Sequence, residues 1–187
     1  MQKMIQADIW TIVQTKEGSA ILLRPRGKNI AVPIFIGELE IQAILIGKEN
    51  IQLPRPLTHD LLINFMNNLG FSLDRVEIHD LIENTFHARL VITGWNYTEE
   101  DPFILDCRPS DAIALAARRK CPIMISSGVI RQTGISLDIF SGVLDIDNIT
   151  PNEEKRRALM KQLDDAVENE EYEKAAEIRD MLKKMEA

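Results

Sequence analysis

Cysteine is scarce in this chain of 187 residues, with Cys107 and Cys121 the two present. Two thiols without CxxC spacing make no structural zinc site. The sequence shows no secretory signal pattern, so a reduced cytoplasmic setting is expected rather than a disulfide. Histidine is scarce too: His59, His79 and His87 are the whole supply, and no catalytic triad can be read from them. Long apolar runs are missing as well. Ala31–Ile36 and Ile41–Ile46 are short and broken by Pro33, Gly37, Glu38 and Glu40, far below transmembrane length. No GxSxG, P-loop or GxGxxG string occurs, and neither repeats nor low-complexity stretches are found.

An excess of positive charge is also absent. The formal net charge is −7, with 14 basic against 18 acidic residues up to Thr150 and 8 against 11 beyond it. A nonspecific nucleic-acid binder carries a global basic charge. Contact with nucleic acid here must come from a local patch.

What is present is a chain long enough for one main domain and a small appendage. Apolar residues alternate over Ile5–Val13 and recur over Ala20–Leu23 and Ile30–Ile36, predicting a strand meander. A turn at Lys16–Ser19 and a loop carrying Arg24, Arg26, Gly27 and Lys28 join these strands. Glu38–Gly47 has helical spacing and reads as a mostly buried helix, with Leu39, Ala43 and Ile46 on its stripe and Ile41, Ile44 and Leu45 widening it. Pro54-Arg55-Pro56 is a stiff connector. Thr58 is predicted to cap a helix through Asn68, with Leu61, Leu62, Phe65, Met66 and Leu69 as its apolar face and Gly70 as its left-handed stop. Strands follow at Phe71–Ile82 and Thr85–Trp95 around a turn at Glu83-Asn84, then at Phe103–Cys107. Pro109–Lys120 is alanine-rich and helical. Ile123–Ile125 reads as a short strand and Ser126–Gly134 as a short helix. Strands and helices mixed without regular alternation predict an α+β fold: a compact mixed-sheet, strand-meander domain with packed helices.

The tail, residues 151–187, reads as two short amphipathic helices broken near Asn169–Glu171. Leu159, Leu163, Ala166 and Val167 share one face, and Ala175, Ile178, Leu182 and Met185 another. A hairpin this small buries too little to fold securely alone, so it is expected to dock on the rest of the chain, on a second copy or on another protein. The expected division is a domain over 1–140, a linker over 141–150 and a hairpin over 151–187.

The strongest local constellation is Asp106-Cys107-Arg108-Pro109-Ser110-Asp111-Ala112, where a strand stops and a helix starts. Pro109 suits the first helical position, and Ser110 and Asp111 place oxygens in the first turn. Two readings stand. In the plain one, Asp111 caps backbone amides and Arg108 pairs with Asp106. In the functional one, Asp106 and Asp111 face a cleft as ligands for a divalent cation such as Mg²⁺ or Mn²⁺, and Arg108 grips phosphate with its forked donors. The second candidate is Arg55-Pro56-Leu57-Thr58-His59-Asp60. Neighbouring helical side chains diverge by about 100°, so His59 and Asp60 are not expected to act as one pair. His79 and His87 lie on neighbouring strands. Glu38 and Glu40 suit a helix start, and Arg118, Arg119 and Lys120 a helix end.

Val32-Pro33-Ile34-Phe35-Ile36-Gly37, Arg55 through Leu61, and Asp106 through Ala116 together resemble the bifunctional nuclease domain family. The tail, through Tyr172–Asp180, resembles the UVR motif, the helical hairpin of UvrB and UvrC excision-repair proteins and some protease adaptors. The arrangement resembles a bacterial form of the family. The resemblance implies cleavage of DNA and RNA, a compact α+β domain that pairs with itself as a homodimer or higher oligomer, and a protein-interaction hairpin with no chemistry of its own. On that basis His59, Asp60, Asp106 and Asp111 are the expected catalytic residues. Arg55, Arg108 and Ser110 are expected to hold phosphate. Tyr172, Ala175, Ala176 and Arg179 are expected at the partner surface. The rival reading is a non-enzymatic adaptor that dimerises and recruits partners through the hairpin.

Overall fold

A computed structural model describes residues 3–15 and 18–137. The chain divides into the units Met1–Asp138 and Ile139–Ala187, and the described residues belong to the first. The expected linker and hairpin, with Tyr172, Ala175, Ala176 and Arg179, lie outside the described residues.

Over the described residues the fold is α+β, built on an eight-stranded mixed sheet and four helices. Strands β1 (Met4–Thr15), β2 (Gly18–Pro25) and β3 (Ile30–Ile36) form the expected antiparallel meander. Helices α1 (Glu38–Lys48) and α2 (Thr58–Asn68) follow. Next come β4 (Phe71–Ile82), β5 (Thr85–Gly94) and β6 (Phe103–Cys107), then α3 (Pro109–Arg119), β7 (Ile123–Ser126), α4 (Ser127–Thr133) and β8 (Ile135–Ser136). The strand order is β6-β5-β4-β7-β1-β2-β3-β8. The β4–β7 pair is parallel and every other pair antiparallel. The two-residue strand β8, paired to Ile30 and Ala31 of β3, is too short to carry a period and was not expected.

Helix α3 lies at the centre. Its residues from Ala112 to Ala117 are all buried, because it packs on β4 and β5 while α1 and α2 pack on it. Alanine is the residue that permits this: it favours helix and lets neighbours approach closely. Gly47 of α1 meets this helix so closely that a β-carbon there would lie 3.2 Å from the Ala117 methyl. The core joins Ile21, Leu23, Val32, Ile44, Val76, Ile78, Leu90, Ile113, Leu115 and Ile125 across sheet and helices.

Helix bounds agree with the sequence reading, but faces do not always. On α1, Ile41, Ile44 and Gly47 are buried, whereas Leu39 is 77% exposed. On α2, Ile63 and Met66 face the core. Leu61, Leu62, Leu69 and above all Phe65, which is 62% exposed, face outward. The start of α2 also differs. Thr58 is the first helical residue rather than its cap, and the Asp60 carboxylate accepts the Leu57 backbone N–H at 2.9 Å. Gly70 does follow the helix at φ +76°. Beside it, the Trp95 indole donates to the Leu69 carbonyl and stacks on Phe71.

Candidate active site

A cleft of about 820 Å³ opens where the ends of β3 and β6 meet the start of β5 and the first turns of α1 and α3. Strand β6 ends at Cys107, Arg108 takes the extended N-cap position, and Pro109 starts α3. Proline loses nothing there, since its missing N–H would have had no helical partner. This turn presents Asp106, Arg108, Ser110 and Asp111 to the cleft, with Glu40 and His87 opposite. Ser110 is only 6% exposed.

Arg108 does not pair with Asp106. Its Nε donates to Asp111 Oδ2 at 2.9 Å and its Nη2 to Asp111 Oδ1 at 3.1 Å. Its Nη1 donates to Glu40 Oε1 at 3.0 Å. The Arg108 side chain remains 66% exposed, and one N–H on each of Nη1 and Nη2 is left for a ligand. Its hydrogen bonds, that to Asp111 foremost, raise its already high pKa. His59 approaches from α2, with Nε2 3.5 Å from Asp111 Oδ1. That distance is longer than a hydrogen bond, as catalytic contacts often are before substrate binds. Asp111 is thus flanked by an imidazole and a guanidinium.

Asp60, one position on, turns away from this group. Its Oδ1 accepts from Arg118 Nε at 2.8 Å. Burial opposes its ionisation, but the Leu57 N–H and Arg118 outweigh burial and hold its pKa below the usual value. Asp60 and Arg55 line a separate pocket of about 450 Å³. The sequence-predicted residues therefore fall into two places: Asp106, Arg108, Ser110 and Asp111 in the cleft with His59 one contact away, and Arg55 with Asp60 elsewhere.

For a metal, the cleft offers Asp106 and Asp111. Among the described residues no group of three or more His, Cys, Asp or Glu is placed to hold an ion, and both Asp111 oxygens are engaged by Arg108. The Cys107 thiol in the cleft is pushed up to about 12, by burial first and then by the charges of Asp111 and Asp106; it is no nucleophile at neutral pH.

Three participants escaped the sequence reading. Glu40 had been assigned to the helix dipole alone, and its contact with Arg108 spans 68 residues. His87 was seen as a neighbour of His79, and their rings are 6.4 Å apart, but the cleft it lines was not visible. Arg118 had been taken as a helix-end charge.

Comparison with known proteins decides the lineage. Residues 21–138 match the Bifunctional nuclease domain. The chain belongs to the bifunctional nuclease domain family. Residues 153–187 match the UvrB/uvrC motif. An uncharacterized protein of Mycobacterium tuberculosis is 36% identical over 124 residues, 66% of this chain and 71% of its own length. Bifunctional nuclease 2 of Arabidopsis thaliana is 29% identical over 185 residues, 90% of this chain and 56% of that protein. Bifunctional nuclease 1 of Oryza sativa subsp. indica is 28% identical over 119 residues, 63% of this chain and 36% of that protein. The chain thus spans about half, or less, of the plant members of the family that it matches. Among the described residues no helix is long and apolar enough to cross a membrane.

Proposed function

We propose that this chain is a nuclease that hydrolyses phosphodiester bonds of DNA or RNA in the cleft at Asp111. The observation that carries the reading is the His59–Asp111–Arg108 group at the cleft, in a chain of a nuclease family. An imidazole that directs its Nε2–H to a carboxylate keeps Nδ1 as its acceptor. His59, the imidazole beside Asp111, takes a proton from an attacking water. The water oxygen bonds to phosphorus, the bond to the leaving oxygen breaks, and solvent protonates that oxygen. Asp111 orients the imidazole and stabilises its charged form. The unspent N–H groups of Arg108 and the Ser110 hydroxyl hold the phosphate oxygens as charge develops.

The test is cleavage of single-stranded DNA and RNA by the purified full chain, with Mg²⁺ or Mn²⁺ and with chelator, beside Asp111→Asn. The variant is expected to lose 10²-fold or more of the rate. A folded Asp111→Asn protein with undiminished cleavage would remove this site from the mechanism. Absence of cleavage in every condition would end the nuclease reading.

The UvrB/uvrC-type segment is read as the module that recruits a protein partner through Tyr172, Ala175, Ala176 and Arg179, with the main domain over 1–140. The free thiols of Cys107 and Cys121 suit the reducing cytoplasm. The outward apolar face of α2 favours a second reading, a self-associating adaptor. Self-association is compatible with either reading, and cleavage separates them.

A further inference from the structure

The pocket that holds Arg55 and Asp60 lies apart from the cleft and has a different chemistry. It measures about 450 Å³, within the size range of small-ligand sites, and lies among the end of α1, the Pro54-Arg55-Pro56 connector, α2 and α3. Three arginines line it: Arg55, Arg118 and Arg119. One acid, Asp60, faces them, and its charge is already met by Arg118 Nε at 2.8 Å and the Leu57 N–H at 2.9 Å. Arg55 makes no ion pair among the described residues, and Arg119 makes a single weak contact, to Ser72 Oγ at 3.4 Å. The pocket therefore holds more positive charge than the protein neutralises.

Arg118 supplies an independent sign. Its side chain is 7% exposed. Nε binds Asp60, and Nη1 donates to the Ala43 and Ala114 carbonyls at 2.7 and 3.1 Å. Nη2 is buried with no hydrogen-bond partner. Buried guanidinium N–H groups without an acceptor are rare in folded proteins, and this one calls for a partner, such as a water, that the described residues do not supply. The first turn of α2 borders the same pocket through Asp60, adding the positive end of an eleven-residue helix. Asn64 offers an amide beside it. Forked arginine donors, a helix start and an amide together suit a tetrahedral dianion with several acceptor oxygens better than a carboxylate.

We propose that this pocket is a phosphoryl-binding site, distinct from the cleft at Asp111 and centred on Arg55, Arg118 and Arg119. A phosphate of a nucleic-acid strand and a free phosphate-bearing small molecule share the chemistry that it recognises. The site stands on its own charge and geometry, whether or not the cleft cleaves phosphodiesters.

The test is calorimetric titration of the full chain at low salt with two probes: inorganic pyrophosphate, and a single-stranded oligonucleotide with phosphorothioate linkages that resist hydrolysis. The comparison protein is the double variant Arg55→Gln, Arg119→Gln. Both positions are exposed, so the fold survives, and circular dichroism verifies this. At least one probe is expected to bind, with affinity falling tenfold or more in the double variant. Binding of pyrophosphate alone assigns the site to a small ligand. Binding of the oligonucleotide, with a shallower salt dependence in the variant, assigns it to a strand backbone. Failure of both probes to bind, or a loss of less than tenfold, overturns the proposal. Cleavage is no part of the readout, so a negative nuclease assay leaves this result intact.

Discussion

Arg118 sits where α1, α2 and α3 meet, reaching Ala43, Asp60 and Ala114 with one side chain. Replacing it with methionine keeps the stem's packing but strands a carboxylate and two carbonyls. The Asp60 carboxylate is 33% exposed, so water meets part of its charge once the partner is gone, and Arg118→Met is expected to cost about 2 kcal/mol, read as a lower urea midpoint. Glu77 shows the same logic on the sheet. It is 3% exposed on β4, held by Arg75 at 2.8 Å and Arg89 at 2.7 Å. Burial pushes its pKa up, but Arg89 and Arg75 win and hold it below the usual 4.5. A depressed acid stabilises the fold fully above its ordinary pKa and loses that contribution as pH falls through the depressed value. Thermal midpoints measured downward from pH 7 should therefore begin to drop near pH 4.5 through Glu77, with Asp60 adding its share below 3.8. Glu77→Gln should lower the neutral midpoint and flatten that acid limb. Neither role was legible in the sequence. Arg118 looked like a solvated helix end because its acceptors lie up to 75 positions away. Asp111, by contrast, stood out, because a strand end, Pro109 and two polar first-turn residues are local facts.

At the scale of elements, the β4–β5 hairpin was read correctly from two apolar runs around Glu83-Asn84. Both turn residues have positive φ, 49° and 62°. That is the two-residue turn whose twist matches the flanking strands, and it prefers Asn-Gly. Glutamate is a poor occupant of the left-handed region. Glu83→Asn should therefore stabilise the domain by about 0.5 kcal/mol, seen as a raised denaturation midpoint with an unchanged slope. Helix bounds were equally readable, since capping and glycine stops act locally. The face of α2 was not. Its period marks Leu61, Leu62, Phe65, Met66 and Leu69 as one stripe, but a period says nothing about which neighbour covers it. Ile63 and Met66 took the core side, and the remaining leucines and Phe65 were left outside.

Strands were legible one by one, but their order was not. Nothing in β7's four residues shows that it inserts between β4 and β1, parallel to one and antiparallel to the other. The same long-range placement leaves a set of apolar side chains exposed among the described residues. Leu61, Leu62, Phe65 and Leu69 run on to Trp95, which is 76% exposed. Ring contacts then lead from Trp95 through Phe71 and Tyr97 to Phe103. Contiguous exposed apolar side chains of this kind mark interaction surfaces. We propose that a second copy covers them. Sedimentation of the full chain should show an oligomer that Phe65→Glu dissociates while the fold is retained. A wild-type monomer at high micromolar concentration would refute this.

Two neighbours on one helical turn lead in different directions: His59 to Asp111, Asp60 to Arg118. The first turn of α2 is thus a shared mounting. A ligand that moved that turn from the arginine pocket would change the His59–Asp111 spacing as well, and a coupling of that kind is reciprocal: whatever factor one occupant applied to the other's affinity, it would receive in return.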